Sequence, residues 1–147
     1  MIDRIALAAV AEACRSGLEG LADKKFSMFH EFPNGACGPA AEILGRIVKE
    51  RLQYDGIYVC GQGHPFLGFG QTHAWFEVGN LILDITHDQF EGTGLTGWIF
   101  EREGGWHSLF CDQDRRMGYC MPEGWLCYPH DGYRAAINEL VIAPSAK

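Results

Sequence analysis

Cysteine, histidine and aspartate can together carry out acyl transfer, and this chain offers one of each in informative local settings: Cys37, His73 and Asp84. A sulfur attacks as the thiolate, so it needs a depressed pKa, a base within reach and some access. Residues 34 to 52 read NGACGPAAEILGRIVKERL. The apolar positions Ala40, Ile43, Leu44, Ile47, Val48 and Leu52 recur at helical steps, so a helix is expected from about Gly38 to Gln53. Pro39 suits its first turn, where a missing N–H costs nothing. Cys37 therefore stands at a helix start, where unpaired N–H groups and a partial positive charge favour a thiolate. Gly35, Ala36 and Gly38 leave it uncrowded.

The histidine and the aspartate are brought together by a hairpin. Gly79-Asn80, between THAWFEV and LILDIT, is a two-residue turn signal. With that loop Val78 faces Leu81, Phe76 faces Leu83, Trp75 faces Asp84 and His73 faces Thr86. Side chains alternate across a strand. One face then carries Ala74, Phe76, Val78, Leu81, Leu83 and Ile85, all apolar, and is expected to pack on the core. The other carries His73, Trp75, Glu77, Ile82, Asp84 and Thr86, and is expected to lie at the surface. A one-residue slip would set an apolar row against a polar one, so the register is strongly implied. It makes His73 and Asp84 diagonal neighbours, with a Cα separation on the order of 7–8 Å. A carboxylate so placed fixes the imidazole tautomer and stabilises the imidazolium. The plain alternative is an ordinary surface His–Asp pair.

The elements that must position these groups follow in order. A first helix is expected from Asp3 to about Gly17, with room to extend to Ala22, then the loop HEFPNGACGP and the Cys37 helix. Strands follow at GIYVC, THAWFEV and LILDIT. GWIFERE and WHSLF flank Gly104-Gly105 and suggest a further hairpin, the stretch from Cys111 to Pro129 reads as irregular, and a last helix is expected from an Asp131 N-cap through Leu140. This order gives an α+β fold, with N-terminal helices packed on an antiparallel sheet, in one compact unit over 1–147.

A helix-starting Cys37, then His73-Ala74-Trp75 at a strand start, then Asp84-Ile85-Thr86 on the next strand resembles the transglutaminase-like branch of the papain-like cysteine peptidase superfamily. The resemblance covers about Phe32 to Phe90. It implies a papain-like or transglutaminase-like core and a catalytic triad of Cys37, His73 and Asp84 working through a thioester. It also implies an oxyanion hole built from the Cys37 backbone N–H and one further donor, with Asn34 and Gln71 as candidates. Trp75 would shield the site or belong to the core. Gly38 stands where a tryptophan often follows the family's cysteine, and no calcium loop is evident. The resemblance therefore points to a compact bacterial or phage-type peptidase, amidase or deamidase acting on a peptide or other amide, with no cofactor or metal. A small protein-modifying transglutaminase and a non-catalytic binding module on the same scaffold are the alternatives.

Composition narrows the remaining classes. A net charge of −7 and a pI near 5.3 make nucleic acid an unsuitable partner. The single basic cluster, Arg115 and Arg116, lies beside Asp112 and Asp114 and reads as a solvated turn. No apolar run reaches the roughly 18 residues that span a bilayer. The N-terminus is a poor secretory signal, so a cytoplasmic location is expected, with a secreted effector or toxin using another route left open. The six cysteines then read as free thiols. Among Cys111, Cys120, Cys127 and His130 only the last pair has short metal-ligand spacing, so buried structural thiols are expected there. Cys14 and Cys60 read as buried, with Cys60 also a conceivable redox partner of Cys37. His87 and Asp88 read as turn or surface residues, and His30 and His64 as solvated loop residues.

Overall fold

The computed structural model describes residues 1–118 and 128–142. Asp3 caps the first helix by accepting a hydrogen bond from Ala6 N at 3.0 Å, and α1 runs Arg4–Glu19. The second helix, α2, spans Cys37–Leu52. It ends where Gln53 turns left-handed at φ 64° and returns its N–H to the Lys49 carbonyl. Three antiparallel strands follow, β1 Ile57–Gln62, β2 Thr72–Val78 and β3 Leu81–Leu83. Then come a 3-10 turn at His87–Gln89, strand β4 Ile99–Glu101, a 3-10 turn at Trp106–Leu109, strand β5 Asp112–Met117, and helix α3 His130–Ile142. The class is α+β, and the five strands lie in the order β4-β3-β2-β1-β5 with every neighbouring pair antiparallel.

The β2–β3 register is the one the Gly79-Asn80 turn dictates: Val78 opposite Leu81 and Phe76 opposite Leu83. Its apolar row packs under the helices. Leu7, Val10 and Leu18 of α1, Ile43, Leu44 and Ile47 of α2 and Ala136 of α3 close on Phe76, Val78, Leu83 and Ile85. Fully burying each large side chain of this kind stabilises the fold by about 1.5–3 kcal/mol. The helices themselves come close where α1 lacks a side chain. A Cβ on Gly17 would stand 2.7 Å from the Ala135 carbonyl carbon and oxygen in α3.

The opposite sheet face differs from expectation. The row expected at the surface is buried throughout: His73, Trp75, Glu77, Ile82, Asp84 and Thr86 are each at most 1% exposed. A second, smaller core of Val59, Trp75, Ile82 and Phe110, with Phe100 and Trp106 against it, covers that face. The cover comes from residues expected to form a hairpin at GWIFERE and WHSLF. Only Ile99–Glu101 is a strand, paired with β3, whereas Trp106–Leu109 coils into a 3-10 turn that drives two aromatic rings onto the sheet.

Part of the stretch expected to be irregular is strand β5, paired along β1, and Arg115 and Arg116 lie on it and not in a solvated turn. Their guanidinium groups neutralise acids that the sheet and α2 bury: Arg115 meets Glu77 and Arg116 meets Glu42. Asp131 lies one residue inside α3 and not at its cap, with its carboxylate accepting hydrogen bonds from Ser27 Oγ and Gly132 N. Among the described residues, no helix is long and apolar enough to cross a membrane.

Candidate active site

Cys37 is the first residue of α2, and its N-cap, Ala36, has no side chain to cap the helix. The first-turn N–H groups are therefore not taken up by a capping side chain. The preceding loop delivers the chain through Gly35, whose φ of +69° favours glycine. The β2–β3 ladder covers only Phe76 to Val78 of β2, which leaves the start of that strand free of its β3 neighbour. The half-buried Cys37 thiol lies near enough to the His73 imidazole and the Ala74 backbone for both to lower it.

His73 is completely buried. Its ladder partner on β1 is Gly61, and a Cβ there would stand 2.6 Å from Phe110 Cγ. Glycine at 61 thus lets the Phe110 ring lie over His73, with ring centroids 6.3 Å apart and near-parallel planes. Phe90 and Trp106 meet the same imidazole edge-on, at 5.2 and 5.8 Å. His73 Nε2 stands 2.6 Å from Asp84 Oδ2, so Nδ1 is the ring nitrogen left for the sulfur. Asp84 follows β3 directly and is anchored there by its N–H, which donates to the Trp98 carbonyl at 2.9 Å. Its Oδ1 accepts from Thr86 N at 3.0 Å and from Thr86 Oγ1 at 3.4 Å.

Two members of the site carry no pattern that sequence reasoning caught. His107, 2% exposed, places Nε2 2.6 Å from the same Asp84 Oδ2 atom. Gln89 ties the pieces together. Its Nε2 donates to the Thr86 carbonyl at 3.1 Å and lies 3.4 Å from His73 Nδ1, while its Oε1 accepts from Gly35 N at 3.4 Å. His64, expected in solvent, is 5% exposed: its Nδ1 accepts from Phe66 N, so Nε2 carries the proton toward the Trp106 carbonyl. His87 is likewise 3% exposed, between Trp98 and Phe100, whereas Asp88 is exposed and pairs with Arg15.

The electrostatics follow from burial and pairing. Burial opposes ionisation of Asp84, but His73 and His107 outweigh it and hold the carboxyl well below the usual carboxylate range. Burial likewise opposes a charge on His73, yet the Asp84 carboxylate and the Cys37 sulfur raise it to about 9. For Cys37, burial pushes the thiol up and the Asp84 charge adds to that. The hydrogen bond and charge of His73, with the Ala74 backbone, prevail and bring it below its ordinary value. A lowered thiol against a raised imidazole favours proton transfer from sulfur to ring, which makes a thiolate–imidazolium pair. Cys14, by contrast, is sealed in the main core and pushed up to about 12 by burial alone.

Cys60 is half-buried on β1, and burial first, then the Cys37 charge, raises its thiol. It lines a cleft of about 220 Å³ with Gln62, Asp112 and Asp114. The three residues suggested for oxyanion binding or shielding lie as follows. Asn34 is exposed in the loop before α2, and the exposed Gln71 accepts from Gly68 N at 2.7 Å. Trp75 is buried, with Nε1 donating to Glu77 Oε2 at 2.8 Å. Among the described residues, no hydrogen bond joins these three side chains to Cys37, His73 or Asp84.

Donor atoms of His73, Asp84 and His107 lie within 4.8 Å of one another, a spacing compatible with a metal ion. The arrangement fits hydrogen bonding better. Both Nε2 atoms converge on one carboxylate oxygen at N–H···O distances, and no side chain of the three offers an open coordination position to solvent. Of the late thiols, Cys111 is exposed and Cys120 and Cys127 lie outside the described residues, while His130 is exposed at the start of α3. No family model, no curated protein and no solved structure matches this chain.

Proposed function

We propose that this chain is a cysteine-dependent acyl-transfer enzyme acting on an amide or ester, with Cys37 as nucleophile, His73 as acid and base, and Asp84 holding His73. One observation carries the reading: the Cys37 thiol, at a helix start, is lowered by an imidazole whose Nε2 is held at 2.6 Å by a buried carboxylate. The order of the three groups along the chain, and their settings at a helix start, a strand start and a strand end, support a transglutaminase-like or papain-like core.

The chemistry runs as follows. The Cys37 thiolate adds to the carbonyl carbon; an S–C bond forms and the carbonyl electron pair moves onto oxygen. The uncapped N–H groups at the start of α2, that of Cys37 among them, are suited to that oxyanion. As the tetrahedral centre collapses, the C–N or C–O bond breaks and His73 Nδ1 gives its proton to the leaving group. Water or an amine then attacks the thioester, loses a proton to His73, and releases the thiolate. Both outcomes pass through the same intermediate.

The test needs no known substrate. The rate of iodoacetamide alkylation at Cys37, read by peptide mass spectrometry against pH, should inflect below the ordinary thiol value, and the His73→Ala variant should lose that inflection. Cys37→Ala should abolish turnover of any amide or ester in a panel that the native chain cleaves. Alkylation of Cys37 no faster than a free thiol at neutral pH would overturn the proposal.

A further inference from the structure

Asp84 is saturated. Its Oδ2 meets His73 Nε2 and His107 Nε2, each at 2.6 Å, and its Oδ1 meets the two Thr86 donors. A carboxylate offers about four lone-pair sites, and all four are filled. We propose that His107 is a positioning residue for the His73–Asp84 pair, donating Nε2–H to the oxygen that His73 uses and dividing the carboxylate's charge between two imidazoles. In taking His73 as the acid and base, this inference rests on the function proposed above.

The setting of His107 supports the role. The ring is held by Trp75 at 4.8 Å, Trp106 at 5.1 Å and Phe100 at 5.5 Å, and the backbone carbonyl accepts from Gln113 Nε2 at 3.2 Å. An ionised carboxylate only accepts, so the facing Nε2 must carry a proton. Among the described residues, the titratable groups facing this cluster are Cys37 from α2 and His64 from the loop between β1 and β2. Cys60 of β1 faces Cys37 in turn, while Glu77, beyond Trp75, is paired with Arg115 and Arg102. With His73 as its sole imidazole donor, a carboxylate buried among aromatic rings would stabilise the His73 imidazolium more strongly. Catalysis requires that imidazolium to give up its Nδ1 proton. The second imidazole thus moderates the first.

Long-range proton–nitrogen NMR of the ¹⁵N-labelled full chain, titrated from mildly acidic to alkaline pH, tests this directly. The neutral His107 ring should be the Nε2–H tautomer, as its contact with Asp84 Oδ2 requires. In His107→Leu the His73 midpoint should rise by about one pH unit, the scale of one hydrogen bond to a charged group. His107→Gln, whose amide can donate in place of the ring, should restore most of it. The proposal is overturned by a native His107 protonated on Nδ1 alone, by an unmoved His73 midpoint in folded His107→Leu, or by metal-ligand nitrogen shifts that a chelator abolishes. If His107→Leu does not fold, the native tautomer and the glutamine variant decide. Failure of the acyl-transfer reading would appear separately, as an ordinary alkylation profile at Cys37 with these ring measurements unaffected.

Discussion

His73 Nε2 and Asp84 Oδ2 are 2.6 Å apart, and neither side chain is exposed to solvent. In so dry a setting each charge depends on the other. Asp84→Asn keeps the shape and removes the charge. His73 should then fall from about 9 to its ordinary value or below, because burial is no longer opposed by the carboxylate. Cys37 alkylation at mildly acidic pH should slow by roughly tenfold or more, the equivalent of one pKa unit. Urea denaturation should register a loss of about 2–4 kcal/mol, since two buried imidazoles then share a neutral amide. An unshifted alkylation profile would show that Asp84 does not act on Cys37 through His73.

The same pair predicts a pH dependence of stability. His73 is raised in the folded chain, so its contribution is full below the ordinary 6.5 and is lost as pH rises through the folded value, which is about 9 with the thiol present. Asp84 is lowered, so its contribution is present above about 3.9 and is lost only in strong acid. In the Cys37→Ser background, where no thiolate titrates at the site, the urea midpoint should fall from pH 6.5 to pH 9.5 by the equivalent of roughly 1–3 kcal/mol. Adding His73→Phe should flatten that slope. A slope unchanged by the second substitution would assign it to other groups.

Arg115 reaches from β5 across β1 to β2, where its Nη2 lies 2.5 Å from Glu77 Oε1. Glu77 is 1% exposed and also meets Trp75 Nε1 at 2.8 Å and Arg102 Nη1 at 3.5 Å. Removing Arg115 leaves the buried carboxylate with the longer of its two ion pairs, that to Arg102 at 3.5 Å. Arg115→Ala should therefore cost about 2–4 kcal/mol in denaturant unfolding, and Glu77→Gln distinctly less, because its neutral amide needs no counter-charge. Equal costs would mean that the ion pair is not the source of the effect.

Gly17 sits where α1 meets the backbone of α3. A methyl group there would come within 2.7 Å of the Ala135 carbonyl and 2.8 Å of Ala136 N. Backbone cannot swing aside as a side chain can, so Gly17→Ala should destabilise by about 1–3 kcal/mol despite alanine's better helix propensity. Thermal unfolding of this variant beside Gly20→Ala, whose nearest neighbour is 3.3 Å away, separates overpacking from propensity. A stabilised Gly17→Ala would mean the helices can separate at little cost.

What was legible from residues alone was whatever repeats. The helical spacing from Ala40 to Leu52 placed α2 within a residue, and the apolar row from Phe76 to Ile85 fixed the hairpin register and so the His73–Asp84 neighbourhood. β5 was invisible because DQDRRM has no apolar alternation; it is held at the sheet edge by backbone pairing to β1 and by the Arg115–Glu77 pair. His107 was missed for a related reason. WHSLF read as one arm of a hairpin, yet it forms a 3-10 turn, and only that turn sends Trp106 and His107 onto the sheet. The row of His73, Trp75 and Glu77 looked solvated because its cover, from Phe100 to Phe110, lies 25 to 35 residues beyond Trp75.

That cover has a bearing on how the protein is born. Cys37, His73 and Asp84 leave the ribosome well before Trp106, His107 and Phe110, which complete the enclosure. A nascent polypeptide interrupted between Asp84 and Trp106 would lack both the rings that cover His73 and the second imidazole on Asp84. The enclosure of sulfur, ring and carboxylate thus waits on the synthesis of a segment that follows all three.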